Sequence, residues 1–412
     1  MDMSRTIIVG GGQAGGRCAI TLRSKGYEGD IVLIGEEPRP PYRRPPLSKT
    51  VLLGENTVED GYFRSPADYA ENGVDLQLER RVADVDADKQ QVRYEDGETT
   101  TFDHLVFATG ASPRALPLPG HELEGVFLLR TAHDALSIKE QLQPGRRIVI
   151  IGGGFIGLEV ASSARQLGCE VTVLEAMERL LSRSVPPRAA EAVTRVHDNQ
   201  GVDIRTGVGV EAFAGEGRVA RVALSDGAHV EADAVIVGIG IAPNTSLAET
   251  AGIEVSNGIL TDEFGRTSVN NVYAAGDCAS CFLPRYGRNI RLESFQNADQ
   301  QGMNVAATIA GQPAGYNPVP FVWSDQHSRV LQTVGFPAEG ERHVQRGSVE
   351  EQNMVLFSIK DGKLVGVTGW GKGMLIAKDV RFSQKLIEMD VEVDADRLAD
   401  PDVPVKDLMP KP

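Results

Sequence analysis

One glycine-rich fingerprint occurs twice in this 412-residue chain, as GGGQAG at residues 10–15 and as GGGFIG at residues 152–157. Each copy follows a run rich in β-branched residues, 6–9 and 147–151, as buried parallel strands tend to be, and precedes a helix-like segment. In G-x-G-x-x-G the first glycine makes a tight turn, the second lets backbone approach a pyrophosphate, and the third lets helix pack against strand. The chain is therefore predicted to hold two dinucleotides.

A second strand that ends in an acid completes each of the two units. Residues 30–36 (DIVLIGE) end in Glu36, and residues 170–175 (EVTVLE) end in Glu175. A carboxylate at this point suits the two hydroxyls of a ribose and repels a 2'-phosphate. Glu175 therefore predicts NADH rather than NADPH as the nicotinamide cofactor. Arg179 and Arg183 follow closely and would soften that preference.

Length and charge narrow the function classes. A chain of 412 residues suggests two or three domains, and its 41% hydrophobic and 24% charged content is ordinary for a globular protein. The net charge of -15 argues against a nonspecific hold on nucleic acid or anionic membranes. No run of 18 apolar residues occurs and the first strand begins close to Met1, so we expect a cytoplasmic location without a leader segment.

The order of strand-like and helix-like runs predicts an α/β fold with two Rossmann-like dinucleotide-binding domains and a C-terminal α+β domain. The first domain is expected to be discontinuous, over 1–115 and 245–320, because residues 271–277 (NVYAAGD) form another buried strand that ends in glycine and a carboxylate. The second domain is predicted over 116–244. Alternating runs and a helix-like stretch over 373–388 predict the third domain, 321–412.

These motifs resemble the FAD-dependent pyridine nucleotide reductases of the glutathione-reductase fold. Within that family the chain is similar to the putidaredoxin reductase-like ferredoxin reductases, which serve bacterial cytochrome P450s and ring-hydroxylating dioxygenases. The resemblance spans nearly the whole chain. Besides the fingerprints, residues 42–49 (YRRPPLSK) and 323–326 (WSDQ) are its most specific parts.

The resemblance implies roles for individual residues. It implies that FAD is bound by residues of the first fingerprint, of three strand endings and of the two specific segments, together with Val82: Gly10, Gly12, Gly15, Glu36, Arg44, Lys49, Val82, Ala108, Thr109, Gly110, Asp277 and Trp323. It implies that NADH is bound around the second fingerprint by Gly152, Gly154, Gly157, Glu159, Glu175 and Gly240. Lys49 and Glu159 match a catalytic pair near flavin N5, where hydride arrives, and no metal site is expected.

The four cysteines bear on where the electrons go next. Cys18 and Cys169 each stand alone where disulfide reductases of this fold carry a redox pair, and Cys278 and Cys281 are interpreted as two small packed thiols despite their C-x-x-C spacing. The reduced flavin is therefore expected to give up its electrons singly to an outside iron-sulfur protein. An acidic [2Fe-2S] ferredoxin would need a local basic patch. Candidate residues for that patch are Arg285, Arg288, Arg291, Arg329, Lys372, Lys378 and Arg381.

The leading functional prediction is an NADH-dependent flavoprotein that reduces a ferredoxin for a cytochrome P450 or a ring-hydroxylating dioxygenase. A rubredoxin reductase is the nearest alternative. A redox-sensing flavoprotein resembling apoptosis-inducing factor and a reductase of a small organic acceptor, such as monodehydroascorbate, also stay open.

Overall fold

A computed structural model describes residues 4–410 of the chain. The chain divides into two compact units. Unit 1 contains Met1–Pro45, Thr57–Ser112 and Ile241–Pro318, and unit 2 contains Pro46–Asn56, Pro113–Gly240 and Val319–Pro412. The segment that carries Lys49 therefore belongs to unit 2, although the residues on either side of it belong to unit 1. The three-domain division drawn from the sequence stays a prediction.

The helices are numbered in chain order: α1 (Gln13–Ser24), α2 (Thr50–Leu53), α3 (Pro66–Glu71), α4 (Ala132–Gln141), α5 (Phe155–Gln166), α6 (Pro187–Asn199), α7 (Ser246–Thr250), α8 (Phe295–Ile309), α9 (Gly373–Met389) and α10 (Ala395–Ala399). Short 3-10 turns lie at Pro45–Ser48, Glu59–Gly61, Pro337–Glu339 and Val405–Leu408. Across residues 4–410, no helix combines the length and the apolar character needed to cross a membrane.

The strands are likewise numbered in chain order: β1 (Arg5–Val9), β2 (Asp30–Ile34), β3 (Val74–Gln77), β4 (Val82–Asp86), β5 (Gln91–Tyr94), β6 (Thr99–Thr101), β7 (His104–Phe107), β8 (Ala111–Pro113), β9 (Val126–Leu128), β10 (Arg147–Ile151), β11 (Glu170–Glu175), β12 (Val202–Thr206), β13 (Val210–Ala214), β14 (Arg221–Leu224), β15 (His229–Glu231), β16 (Ala234–Val237), β17 (Ile241–Pro243), β18 (Val255–Ser256), β19 (Gly258–Thr261), β20 (Val272–Ala274), β21 (Ala279–Leu283), β22 (Arg288–Ile290), β23 (Phe321–Gln326), β24 (Arg329–Gly335), β25 (Arg342–Ser348), β26 (Asn353–Lys360) and β27 (Lys363–Gly371).

Unit 1 is built on a parallel sheet with the order β20-β7-β1-β2-β3. Its strands are apolar on both faces, since one face packs into a core with Ile7 and Phe107 and the other into a core with Ile8 and Val106. Helices α1 and α8 pack together on the second of these faces. An antiparallel sheet, β4-β5-β6, and a mixed sheet, β18-β19-β21-β22, in which β19 and β21 run parallel, also belong to the unit. The carboxyl ends of β1, β2, β7 and β20 consequently share one edge of the sheet.

Unit 2 repeats this plan with a parallel sheet in the order β12-β11-β10-β16-β9. Strand β10 lies at the centre of this sheet. Both of its faces are buried, since the successive residues Val149 and Ile150 point to opposite faces and neither is exposed. A three-stranded antiparallel sheet, β13-β14-β15, covers one face of this sheet.

The C-terminal part of unit 2 is an antiparallel sheet in the order β23-β24-β27-β26-β25. The long helix α9 packs against it through Ile376 and Val380. The predicted α/β architecture, with two parallel sheets and a C-terminal antiparallel part, is confirmed.

Candidate active site

The first glycine fingerprint makes a turn that no other residue fits. Gly10 follows β1 with a φ of 122°, and its N–H donates to the carbonyl of Ile34 at 2.9 Å. A Cβ on Gly10 would lie 2.1 Å from the carbonyl oxygen of Ala108, and one on Gly15 would lie 2.0 Å from the carbonyl oxygen of Gly10. These two glycines are therefore required by the packing of the protein itself.

Gly12 is different, because a Cβ there would meet no protein atom within 4 Å. Gly12 caps α1, whose first turn holds no acidic residue and receives no side-chain cap. The positive end of α1 therefore faces open space, as a pyrophosphate site requires. The residues present fit the phosphate groups of a dinucleotide.

Other predicted FAD-binding residues lie along the same edge of the unit 1 sheet. The hydroxyl of Thr109, just after β7, donates to the carbonyl of Asn244 at 2.7 Å, and Gly110 has a φ of 66°. Ala108 is buried, and the half-buried Asp277 follows β20. The structure therefore brings together the ends of β1, β7 and β20, as the resemblance implied.

Two further predicted residues of this unit are engaged with charged neighbours. Glu36, after β2, is exposed and forms a 3.2 Å ion pair with Arg81. Arg44 forms a 2.7 Å ion pair with Glu37, and Val82 is buried at the start of β4. Their roles toward FAD stay predictions.

The second fingerprint repeats the geometry of the first inside unit 2. Gly152 has a φ of 107°, and a Cβ on it would lie 2.4 Å from the carbonyl oxygen of Gly238. A Cβ on Gly157 would lie 2.1 Å from the carbonyl oxygen of Gly152, whereas Gly154 again faces open space. Helix α5 begins after Gly154 with no acid in its first turn. Unit 2 thus holds a second cradle for phosphates.

The predicted ribose-binding acid of unit 2 is held in place by backbone. Glu175 accepts hydrogen bonds from the N–H of Gly153 at 2.7 Å and from the N–H of Met177 at 2.8 Å. Arg179 donates its guanidinium to the carbonyls of Ser182 and Val185. Arg179 is therefore committed to its own loop.

Gly240 and Arg183 are two further residues of unit 2 that the sequence singled out. Gly240 follows β16 with a φ of 106°, and its carbonyl accepts from the N–H of Arg114 at 2.9 Å. Arg183 is exposed.

Lys49 and Glu159, the predicted catalytic residues, form an ion pair within unit 2, and their catalytic role stays a prediction. The ammonium of Lys49, next to α2, lies 3.1 Å from Oε1 of Glu159 in α5. Glu159 is only 3% exposed. It also accepts hydrogen bonds from the hydroxyls of Ser48 and Ser324. Oδ2 of Asp325 also lies 3.8 Å from the Lys49 ammonium.

Burial raises the pKa of the Glu159 carboxyl above its ordinary range, because an ionised group loses hydration there. The Lys49 ammonium and the hydroxyls of Ser48 and Ser324 oppose that rise. A cation and a carboxylate of adjustable proton affinity are thus fixed side by side, which suits a site where charge changes during turnover.

Sequence reasoning did not find the polar residues that support this pair. Ser48 and Ser324 contact Glu159 directly, and Gln326, His197 and His327 continue the hydrogen bonding beyond Ser324. Ser324 and Gln326 are polar residues two apart in a buried strand, and therefore on one face. That spacing was a usable signal.

Trp323 lies on β23 with its ring stacked on Phe321 at 6.1 Å between centroids. It is half-buried. Its predicted place against FAD stays a prediction.

The four cysteines are all buried and free. Burial raises the pKa of the Cys278 thiol above its ordinary value, and that of Cys281 to about 12. Among the described residues no cluster of His, Cys, Asp and Glu could hold a metal ion. Thiolate chemistry at neutral pH is disfavoured at both positions.

Two parallel sheets, each with a glycine turn that leaves room for a pyrophosphate, define a protein of the class that binds two dinucleotides. Comparison with known proteins agrees. The pyridine nucleotide-disulphide oxidoreductase family matches residues 4–302, and the reductase C-terminal family matches residues 321–409.

Similar proteins extend over almost the full chain. Rhodocoxin reductase of Rhodococcus erythropolis is 39% identical over 97% of this chain and 93% of its own length. The ferredoxin–NAD(+) reductase component of the anthranilate 1,2-dioxygenase system of Burkholderia cepacia is 37% identical over 99% of this chain and 100% of its own length. A crystal structure of the covalent putidaredoxin reductase–putidaredoxin complex matches with a TM-score of 0.95 and 36% identity, covering 98% of both chains.

The chain therefore belongs to the ferredoxin reductases of the pyridine nucleotide-disulphide oxidoreductase family. Its fold is the glutathione-reductase-like fold, and it is an FAD-containing oxidoreductase that uses NAD(H). The predicted family, fold and cofactors are confirmed.

Proposed function

We propose that this protein takes electrons from NADH through FAD to an acidic [2Fe-2S] ferredoxin, which feeds a cytochrome P450 or a ring-hydroxylating dioxygenase. The full-length likeness to reductases named for such systems carries the proposal. The cytoplasmic location expected from the sequence stays a prediction.

FAD belongs in unit 1 on this proposal. Gly10, Gly12 and Gly15 hold its pyrophosphate at the start of α1, and Asp277 and Glu36 hold its hydroxyl groups. When bound, FAD supplies the conversion of a two-electron donor into single-electron steps. The nicotinamide dinucleotide belongs in unit 2, with its phosphates at the start of α5 and its adenosine ribose at Glu175.

The NADH preference follows from Glu175 and its surroundings. Two backbone N–H groups hold the carboxylate of Glu175, so its negative charge stays fixed where a 2'-phosphate would lie. Because Arg179 is occupied by loop carbonyls, only Arg183 among the two predicted arginines is exposed to offset that repulsion.

Lys49 and Glu159 have separate tasks in the proposed reaction. Lys49 places a positive charge beside the site of electron transfer and favours electron-rich states there. Glu159 fixes the position of the Lys49 ammonium, and the hydroxyls of Ser48 and Ser324 hold Glu159 in turn. The cysteines take no part, because all four are buried and burial raises the pKa of each thiol.

The docking surface for the ferredoxin is proposed on α9. Met374, Lys378, Arg381 and Lys385 are exposed and follow each other at helical spacings of four, three and four residues, so they share one side of the helix. We call this set the α9 basic face. Met374 is 91% exposed and the neighbouring Leu375 is 62% exposed. An apolar tip beside three cations fits a partner that offers an apolar spot ringed by carboxylates.

The other predicted docking residues are less suited to this role. Arg291 is ion-paired with Glu293 at 2.6 Å, and its side chain is 7% exposed. Arg329 donates to Gln352. Lys372 is exposed just before α9 but is not on the α9 basic face, and Arg285 and Arg288 lie in unit 1.

The first experiment is an anaerobic titration of the purified yellow protein with NADH and, separately, with NADPH, followed by addition of a [2Fe-2S] ferredoxin. We expect preferential bleaching by NADH and reoxidation by the ferredoxin. Bleaching without reoxidation by any ferredoxin or rubredoxin would favour the sensor. Turnover with monodehydroascorbate but not with ferredoxin would favour a reductase of a small organic acceptor. Faster turnover with rubredoxin than with ferredoxin would favour a rubredoxin reductase.

Charge reversal on α9 tests the docking surface. Lys378→Glu and Arg381→Glu should slow ferredoxin reduction by about ten-fold each at low ionic strength and flatten its salt dependence, because rim charges act chiefly on association. NADH-dependent reduction of ferricyanide should not change. Lys25→Glu, an equal charge change at the end of α1, is the control. Equal effects of Lys25→Glu and Lys378→Glu would remove α9 from the proposal.

A further inference from the structure

A line of hydrogen bonds leads away from Glu159 to the buried His197 and the half-buried His327. Ser324 Oγ lies 2.7 Å from Glu159 Oε1, and Gln326 Nε2 lies 3.0 Å from Ser324 Oγ. Gln326 Oε1 lies 3.0 Å from His197 Nε2. His197 Nδ1 lies 3.3 Å from His327 Nε2. Three stretches of chain that are far apart in sequence, α5, the β23–β24 hairpin and α6, thus meet in one polar line inside unit 2.

The carboxylate end fixes the direction of every bond. The Lys49 ammonium at 3.1 Å pairs with Glu159 as an ionised carboxylate, which only accepts, so the Ser324 hydroxyl donates to it and itself accepts from the Gln326 amide. The amide oxygen of Gln326 then faces His197 and accepts from its Nε2–H. His197 Nδ1 is left as an acceptor for the Nε2–H of His327. All four donors consequently point toward Glu159.

The two rings are held in the state that this direction needs. Burial lowers the pKa of both His197 and His327 to about 4, and the second ring and Arg165 add to the effect at His327. Both rings are therefore neutral at physiological pH, with one donor and one acceptor nitrogen each. The hairpin tip is further fixed because the N–H of His327 donates to the Ser162 hydroxyl at 2.5 Å.

We propose that Ser324, Gln326 and His197 are positioning residues which hold the Glu159 carboxylate in its ionised form beside Lys49, so that α6 influences the charge of the catalytic pair. Hydrogen bonds that point the same way polarise each other, and a bond to a charged group is stronger than a neutral one. Loss of a distant member should therefore be felt at Glu159. A residue that merely fills space would not have that effect.

The inference deepens the proposed role of Glu159, and its test reads the carboxyl group itself rather than ferredoxin reduction. Failure of ferredoxin transfer would leave the titration of Glu159 unaffected, so the two failures are distinguishable. The charged and titratable groups around Glu159 are Lys49, Asp325 beyond it, and the two histidines.

The test is an infrared pH titration of the oxidised holoenzyme that follows the carboxylic acid C=O band missing from Glu159→Gln. Ser324→Ala should shift the midpoint upward by about one pH unit, which is the ten-fold change expected for one hydrogen bond to a charged group. Gln326→Leu and His197→Leu should also raise the midpoint, each by lowering the acid dissociation constant of Glu159 several-fold. His197→Gln, whose amide can still donate, should recover part of the wild-type value.

Two control variants make the same chemical changes elsewhere in unit 2. Ser383→Ala removes a buried hydroxyl that donates to the Asp379 carbonyl in α9, and His343→Leu removes an exposed histidine of β25. Both should keep the wild-type midpoint. Midpoints for Gln326→Leu and His197→Leu that equal those of the controls would overturn the proposal.

A measurement on the wild-type protein covers the case in which a variant does not fold. Nitrogen-15 NMR of histidine-labelled holoenzyme should find His197 and His327 neutral at pH 7, each with its proton on Nε2. A proton on Nδ1 of His197 at that pH, or a charged ring, contradicts the direction of the chain and overturns the proposal.

Discussion

The ammonium of Lys49 lies 3.1 Å from the carboxylate of Glu159, and both side chains are largely withdrawn from water, at 15% and 4% exposure. Burying two charges is costly unless they pair and keep further hydrogen bonds. Glu159 keeps two, from Ser48 and Ser324. Separate segments of unit 2 therefore stabilise this one ion pair through their hydrogen bonds.

Removal of the cation should expose how much Glu159 depends on it. Lys49→Met leaves a buried carboxylate without its partner, so we expect a loss of about 3 kcal/mol in the free energy of unfolding, lessened as Glu159 takes up a proton. Reduction by NADH should slow at the same time. Denaturant unfolding and stopped-flow bleaching measure the two effects. Lys89→Met, which removes a lysine from the exposed Lys89–Asp86 pair, should change neither.

Substitution of Gly12 and Gly154, the two fingerprint glycines that face open space, should affect the binding of FAD and of NADH separately. Gly12→Ala and Gly154→Ala both add a methyl group where the protein has room, so both variants should fold. Gly12→Ala should lower the FAD content of the purified protein by obstructing the pyrophosphate. Gly154→Ala should raise the KM for NADH about ten-fold and keep the FAD content. Exchange of these outcomes between the variants would reverse the assignment of the fingerprints.

Substitution of Gly15, where backbone already occupies the position of a Cβ, should destabilise the fold, unlike substitution of Gly12. In Gly15→Ala the new Cβ would lie 2.0 Å from the carbonyl oxygen of Gly10, so the backbone must move. We expect the free energy of unfolding to fall by about 3 kcal/mol even without bound FAD. Thermal unfolding of the apoprotein measures this loss, with Gly12→Ala as the matched comparison. Equal melting temperatures for the two variants would contradict the packing argument.

The cofactor preference should narrow when Glu175 is removed. Glu175→Ala takes away the fixed negative charge next to the adenosine ribose and should reduce the NADH-to-NADPH ratio of kcat/KM by about ten-fold, equivalent to ~1.4 kcal/mol. Glu178→Ala changes an exposed glutamate of the same loop and should keep the wild-type ratio. An unchanged ratio in Glu175→Ala would count against its assigned role.

Acid should weaken the fold through the buried ring of His197. Because the pKa of His197 is about 4 in the folded protein and about 6.5 when unfolded, the unfolded chain binds more protons between these values. Stability therefore falls as the pH drops from about 6.5 to 4, by about 3 kcal/mol for His197. Glu159, with its raised pKa, acts in the opposite sense. Melting temperatures of the holoenzyme across this range should show a smaller slope in His197→Leu than in the wild type, while His343→Leu should keep the wild-type slope.

Local patterns in the sequence were enough to place the nucleotide-binding elements. Strands β10 and β11 have the bounds that the sequence predicts, and α9 ends within one residue of its predicted end. Such patterns succeed because strand periodicity and glycine turns depend on neighbouring residues alone. The Lys49–Glu159 pair was also found, but only through the resemblance to a family.

Only the tertiary structure decided what surrounds that pair. Ser324 lies 165 residues from Glu159 in sequence, and His197 lies 129 residues from Gln326. Nothing local marks these residues as neighbours, because their contacts arise when α5, α6 and the C-terminal sheet pack against one another. The sequence by itself therefore determined the two dinucleotide cradles and their acids. The packing of distant segments determined which polar groups are buried against Glu159, and so the proton affinity of the carboxylate beside Lys49.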